Sequence, residues 1–136
     1  MVVEPHGWGW LRLADRQVTV TVRVSYVSDV LVNVIDAIDQ AAGGAETAEA
    51  RLGMEPGEAV LRIERRGSAW SIVRLQVEER SGPHGAVGFP VETSTLARLG
   101  LDLAASVDRD TYLAAWAPEA TWPTEGLERL AMLAER

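Results

Sequence analysis

Gln17-Val18-Thr19-Val20-Thr21-Val22-Arg23-Val24-Ser25-Tyr26 is the stretch that decides the fold class. Val18, Val20, Val22, Val24 and Tyr26 alternate with Gln17, Thr19, Thr21, Arg23 and Ser25. A strict period of two in β-branched residues predicts a strand with one buried face. Directly after it the period changes. Leu31, Val34, Ile35, Ile38 and Ala42 recur at helical spacing, Ser28-Asp29 offers an N-cap and an acid for the first turn, and Gly43-Gly44 stops the run. Asp29, Asn33, Asp36 and Gln40 lie on the opposite side of that helix, with Asp39 beside them.

Upstream, Trp8 to Leu13 reads as a shorter strand leading in through Ala14-Asp15-Arg16. Downstream the chain reads as a meander. Ala48, Ala50, Leu52 and Met54 alternate with charged residues, and Glu55-Pro56-Gly57-Glu58 places proline and glycine at the centre of a type II turn. Ala59 to Arg66 and Ala69 to Glu79 follow as strands around Arg66-Gly67-Ser68. In the second of these, Val73, Leu75 and Val77 are expected to face the core and Trp70, Ile72, Arg74 and Gln76 the other way. Ser81-Gly82-Pro83-His84-Gly85 reads as a loop, and Ala86 to Pro90 as at most a short edge strand, because Pro90 has no amide to donate. Helical spacing then returns. Leu96, Leu99 and Leu103 line one face, with Gly100 allowing close packing. A short helix from Asp108 buries Tyr112, Leu113 and Trp116, and Thr124 caps a terminal helix with Leu127, Leu130 and Leu133 or Ala134 inward. The expectation is one α+β domain over residues 1–136. It has an antiparallel sheet of about four to five strands, one helix after the first long strand, and C-terminal helices packed mainly on one face.

Composition narrows the function. All 13 basic residues are arginine, and against 20 acids they leave a formal net charge of −7. Neutralising phosphates supplies most of a nucleic-acid binder's affinity, so this balance argues against such a partner, although Arg62, Arg65 and Arg66 cluster with Glu58 and Glu64 between and beside them. The absence of cysteine removes disulfides, thiolate metal sites and cysteine nucleophiles, and fits a cytoplasmic protein. No secretory signal is read at the start, and no apolar run is long enough to span a bilayer.

No catalytic motif stands out, and none of the residues implies a cofactor. His6 and His84 each sit in a Pro-His-Gly tripeptide; paired with Glu4 or Glu79 they would make a metal or acid–base site, but metal-ligand spacing is missing. Gly82-x-x-Gly85-x-x-Gly88 lacks the lysine of a phosphate loop, and no G-x-S-x-G elbow occurs. Two surfaces remain. Trp70, Ile72 and Arg74, joined by Arg62 and Arg66 from the neighbouring strand, form a candidate contact surface, since tryptophan and arginine together mark interfaces. Asp29, Asp36 and Asp39 form a candidate acidic face for a partner. Trp116 and Trp122 read as core, and Trp8-Gly9-Trp10 as an edge.

Ser25-Tyr26-Val27-Ser28-Asp29 and Glu55-Pro56-Gly57-Glu58 together resemble a group of small uncharacterised proteins from high-GC actinobacteria, which read S-Y-L-S-D, an apolar helix, then E-P-G-E. Tyr112, Trp116 and Trp122-Pro123 resemble that group's tail, where phenylalanine stands before the proline. The likeness spans most of the chain from Gln17 and departs at Val30-Leu31-Val32-Asn33-Val34, where the group has a leucine-rich run. It implies no activity. In general character, a small acidic α+β chain also resembles immunity proteins. The function expected is therefore non-catalytic binding of a protein partner or of a second copy, immunity-like or regulatory. The alternative is a small-molecule binder or enzyme with a cleft between the sheet and the C-terminal helices. A His6→Ala, His84→Ala double variant is expected to keep its fold and its partner affinity. Stoichiometric zinc in the wild-type protein, lost in that variant, would overturn the expectation.

Overall fold

The alternation of Thr21 and Arg23 with Val22 and Val24 produces the strand it predicts, with the valines buried and their neighbours exposed. The computed structural model describes residues 1–3, 8–14, 19–25, 29–54, 57–79, 82–115 and 121–135. Strands β1 (Val2–Val3), β2 (Trp8–Ala14) and β3 (Thr19–Ser25) form one antiparallel sheet in that order, with Leu11 opposite Val22. Ala14 ends β2; the expected turn residues Asp15 and Arg16 lie outside the described residues, as do Val18 and Tyr26.

Helix α1 (Val30–Ala42) buries Val30, Leu31, Val34, Ile35, Ala37, Ile38 and Ala41, the stripe its spacing requires. It leads into β4 (Thr47–Gly53), β5 (Glu58–Arg66), β6 (Trp70–Glu79) and β7 (Gly82–Glu92), an antiparallel sheet in sequential order. The four-stranded sheet was expected; its separation from β1–β3 was not. Strands joined by tight turns pair with one another, and the helix between β3 and β4 leaves those two without such a link. Gly57 has φ 86°, the positive value a type II turn demands of its third residue. Pro56 and Glu55 lie outside the described residues.

β7 corrects the reading of Ser81 to Pro90. Instead of a loop and a short strand, β7 runs for 11 residues and pairs along β6, with Gly85 left over at an irregularity in register between Gln76 and Val77; Ser81 lies outside the described residues. β7 is the sheet's edge, where alternate amides face away from the ladder, so an imide at Pro90 is tolerated.

A 3₁₀ turn at Thr93–Thr95 is tied back to β6 by a 2.8 Å hydroxyl–hydroxyl bond between Ser71 and Thr93. Helices α2 (Leu96–Ala105), α3 (Arg109–Ala115) and α4 (Thr124–Ala134) follow. The buried residues of α2 are Leu96, Ala97, Gly100 and Ala104, while Leu99 is 44% exposed. The expected leucine face is thus rotated toward small residues, because α1 and α4 both close on α2 there. A Cβ on Gly100 would lie 2.6 Å from Leu130 Cδ1 and 3.1 Å from Ile38 Cγ2. Thr124 is the first residue of α4 rather than its cap; Pro123 holds the cap position. Asp108 accepts the Thr111 amide at 3.3 Å and so caps α3. Trp116 lies outside the described residues.

The result is layered. α1 packs on β4 and β5, and α2 and α4 pack on α1, so the helices sit to one side of the four-stranded sheet. One cluster of buried side chains runs from Val22 and Val24 through α1 to Leu61, Leu75, Tyr112 and Leu130. Gly100→Val is expected to lower stability by about 2 kcal/mol, since its methyls would overlap Leu130 and Ile38. A thermal melt matching wild type would show that contact to be looser than the geometry requires.

Candidate functional site

The outer face of the four-stranded sheet gathers the residues singled out from β5 and β6. The antiparallel register sets Arg66 opposite Trp70, Glu64 opposite Ile72 and Arg62 opposite Arg74, and alternation points all six to the side away from α1. On the inner side Leu75 is buried, and Val73 and Val77 are half-buried against the core cluster. β7 completes the outer face with Pro90 opposite Ile72 and Gly88 opposite Arg74. A Cβ on Gly88 would stand 3.5 Å from Ile72 Cγ2 and 3.7 Å from Arg74 Cγ, so the absent side chain leaves those two room to lie over the edge strand.

Glu64 organises the charges. Its carboxylate takes Arg66 Nη2 at 2.6 Å, Arg62 Nη1 at 3.6 Å and Arg74 Nε at 3.7 Å. Arg62 also reaches Glu49 on β4 at 3.0 Å, and Arg51 pairs with Glu58. Exposed pairs of this kind each add under about 1 kcal/mol, so their value lies in fixing guanidinium positions rather than in stability. One carboxylate shared among three guanidinia leaves most of their N–H donors facing solvent. Trp70 stands beside this network 49% exposed. α2 and α4 do not cover this face, because they reach the sheet's other side through α1.

The three aspartates do not share a site. Asp29 has no side-chain bond to its own helix. Its Oδ1 accepts the Tyr112 hydroxyl, and its Oδ2 accepts the Thr121 amide at 2.8 Å and hydroxyl at 2.9 Å. Asp29 holds the N-cap position, but the first-turn amide of Leu31 donates to the Tyr112 oxygen at 3.2 Å. Tyr112 is fully buried and its hydroxyl needs an acceptor, so the cap passes through it. Asp39 accepts from Arg129 Nε at 2.7 Å. Asp36 is exposed, and partial burial, then neighbouring Asp39, raise its carboxyl above the usual range.

Other candidates fall elsewhere. His6 and Glu4 lie outside the described residues, as do the side chains of His84 and Glu79. Among the described residues no group of three or more histidines or acids gathers to hold a metal. Trp122 is half-buried, edge-on to Tyr112 at 6.5 Å, with Arg109 Cζ 5.8 Å from its ring. Trp10 is 41% exposed under Arg23. A cavity of about 250 Å³ opens between the sheet's inner face, β2, α1 and α2. Its walls are aliphatic apart from Phe89 and Arg12, with no tryptophan. No single residue announced it, because each wall residue reads as ordinary core.

Burial, then the Asp29 carboxylate, push the Tyr112 phenol well above its ordinary value. A folded-state value above the unfolded one, about 10, contributes stability that is complete below that pH and is lost as pH rises beyond it. Above pH 10 stability is therefore expected to fall by up to about 1.4 kcal/mol per pH unit. In a Tyr26→Phe variant, the remaining tyrosine is expected to show no phenolate absorbance until the protein unfolds. Phenolate absorbance from the folded protein near pH 10 would contradict the buried hydroxyl.

No known protein family, curated protein or solved structure matches this chain.

Proposed function

We propose that the chain is a small non-catalytic binding protein that engages a protein partner through the outer face of its four-stranded sheet. The observation that carries this is Trp70, half exposed among arginines held by Glu64, on a face with no described helix over it. Tryptophan and arginine dominate the energetics of protein interfaces, where the aromatic is buried centrally and the polar rim excludes water. The fitting partner supplies an apolar side chain to Trp70 and Ile72 and carboxylates to the outward donors of Arg62, Arg66 and Arg74. Each of those arginines already carries a fixed position, so little side-chain freedom is lost on binding.

The overall charge of −7 disfavours nucleic acid on this reading, and among the described residues no helix is long and apolar enough to cross a membrane. A cytoplasmic, immunity-like or regulatory role fits the general character of a small acidic binder. Asp36, exposed on α1, is the member of the acidic trio best placed for a second contact, since Asp29 and Asp39 are engaged within the chain. The small-molecule alternative draws its support from the cavity over the inner face.

Trp70→Glu is the decisive variant. It is expected to keep wild-type circular dichroism and a cooperative melt while losing association, read as mass by light scattering and as partner capture by pull-down. Unfolding would mean the face is internal. A folded variant with unchanged mass and unchanged capture would remove the reading.

A further inference from the structure

Alternation decides which side chains the three-stranded sheet turns to solvent. Leu11 and Val22 turn inward as a pair, so the pairs flanking them, Trp10 with Arg23 and Arg12 with Thr21, turn outward. Val2 of β1 stands opposite Trp10. Val2 is 63% exposed and Trp10 41%, and Arg12 and Arg23 are exposed beside them, so no described helix shields this face. Arg23 Cζ lies 5.9 Å from the centre of the Trp10 ring.

The charge on this face is one-sided. Besides Trp10, the outward positions of β2 and β3 from Trp10 to Ala14 and from Thr19 to Arg23 hold two arginines, an alanine and two threonines, and no carboxylate. On the four-stranded sheet each outward arginine has a glutamate, whereas Arg12 has no ion pair among the described residues. In a chain of net charge −7, this is a local excess of positive charge around an exposed indole.

The complementary surface is on the same molecule. α4 buries Gly126 and Leu130, and Glu125, Glu128, Met132 and Glu135 recur at helical spacing along its solvent side. Met132 is 64% exposed in that stripe. Glu128 and Glu135 have no ion pair among the described residues, and Glu125 has a long one, 3.9 Å to Arg129. A thioether between carboxylates matches an indole beside guanidinia, because sulfur packs favourably on aromatic rings and charge pairs form a polar rim. The Trp70 face is a poorer seat for this helix, since Glu64 already draws on its arginines.

We propose that the outward face of β1–β3 docks α4 of a second copy of this chain, with Met132 on Trp10 and Glu128 paired with Arg12. The helix is about 16 Å long, so the contact is small for a protein interface, and its association is weak and salt-sensitive. The docked and the receiving surfaces differ, so copies join head to tail. The contact does not use Trp70, and the two readings fail separately.

The test is sedimentation equilibrium from micromolar to millimolar protein. The wild type is expected to gain mass with concentration, and to need at least about tenfold more protein for the same mass at 1 M salt, where charges are screened beyond about 3 Å. Arg12→Glu and Glu128→Arg, both at exposed positions, are each expected to stay monomeric alone, because like charges then meet. An equimolar mixture of the two is expected to regain mass, because the reversed pair attracts between unlike chains. Should a reversal unfold the protein, Arg12→Gln and Glu128→Gln replace them, and their combination is expected to associate no more weakly than either alone. The proposal is overturned by a wild type that stays monomeric, by association that the reversals leave intact, by a mixture that stays monomeric, or by neutral changes whose effects add.

Discussion

The mismatch in width between one helix and four strands governs this molecule. α1 supplies the largest single stretch of buried apolar surface, yet it can shield only β4 and β5. The chain responds by building a second tier. α2 and α4 dock on α1, and the small residues Ala97, Gly100 and Ala104 allow three helices to converge within contact of Leu130 and Ile38. The separate β1–β3 sheet contributes Leu11, Val22 and Val24 to the same cluster. Over β6 and β7 the two tiers close only loosely, and a cavity of about 250 Å³ lies between Val73, Phe89 and Val91 and the helical residues Val34, Ile38 and Leu96.

The same geometry explains the opposite surface. With α1, α2 and α4 on one side, the other side of the sheet has no described helix to shield it from water. It meets water with charge pairing across strands, with Glu49, Glu58 and Glu64 set among Arg51, Arg62, Arg66 and Arg74. Such a lattice is soluble and weakly stabilising, which leaves its polar groups ready to exchange one set of partners for another. Trp70, Ile72 and the buried Val60 are its apolar members, with Trp70 the most exposed of the three.

Local pattern made much of this legible. Alternation along Thr21–Val24 and Trp70–Leu75 assigned faces correctly, but Ser25, expected among the exposed residues, is buried at the strand's end, and turn chemistry located the positive φ at Gly57. Gly100 was readable as a close contact because a glycine within a helical stripe has few other uses. What escaped were properties that depend on distant residues. The division into two sheets follows from which strands share a hairpin. Leu99 became exposed because α4 approaches one side of α2 and not the other. The length of β7 depends on a full ladder with β6, which overrides the breaking tendency of its glycines and prolines. The residues of the outer face could be grouped because they lie on adjacent strands with one period; a cleft between the sheet and the C-terminal helices was the alternative expectation, but its lining could not be named because its walls come from six elements.

The Asp29–Tyr112–Thr121 node has a consequence for the order in which the chain acquires its structure. The amide of Leu31 is satisfied by a hydroxyl 81 positions later, and Asp29 is satisfied by groups 83 and 92 positions later. A ribosome makes the N-terminal helix long before it makes those partners. During synthesis α1 therefore carries an open first turn and an unsatisfied carboxylate until residues 112 and 121 have emerged. Closure of so long a loop is slow compared with helix and hairpin formation. The β4–β7 meander is local in sequence and can assemble first, with the helical tiers locking onto it only when the last quarter of the chain arrives.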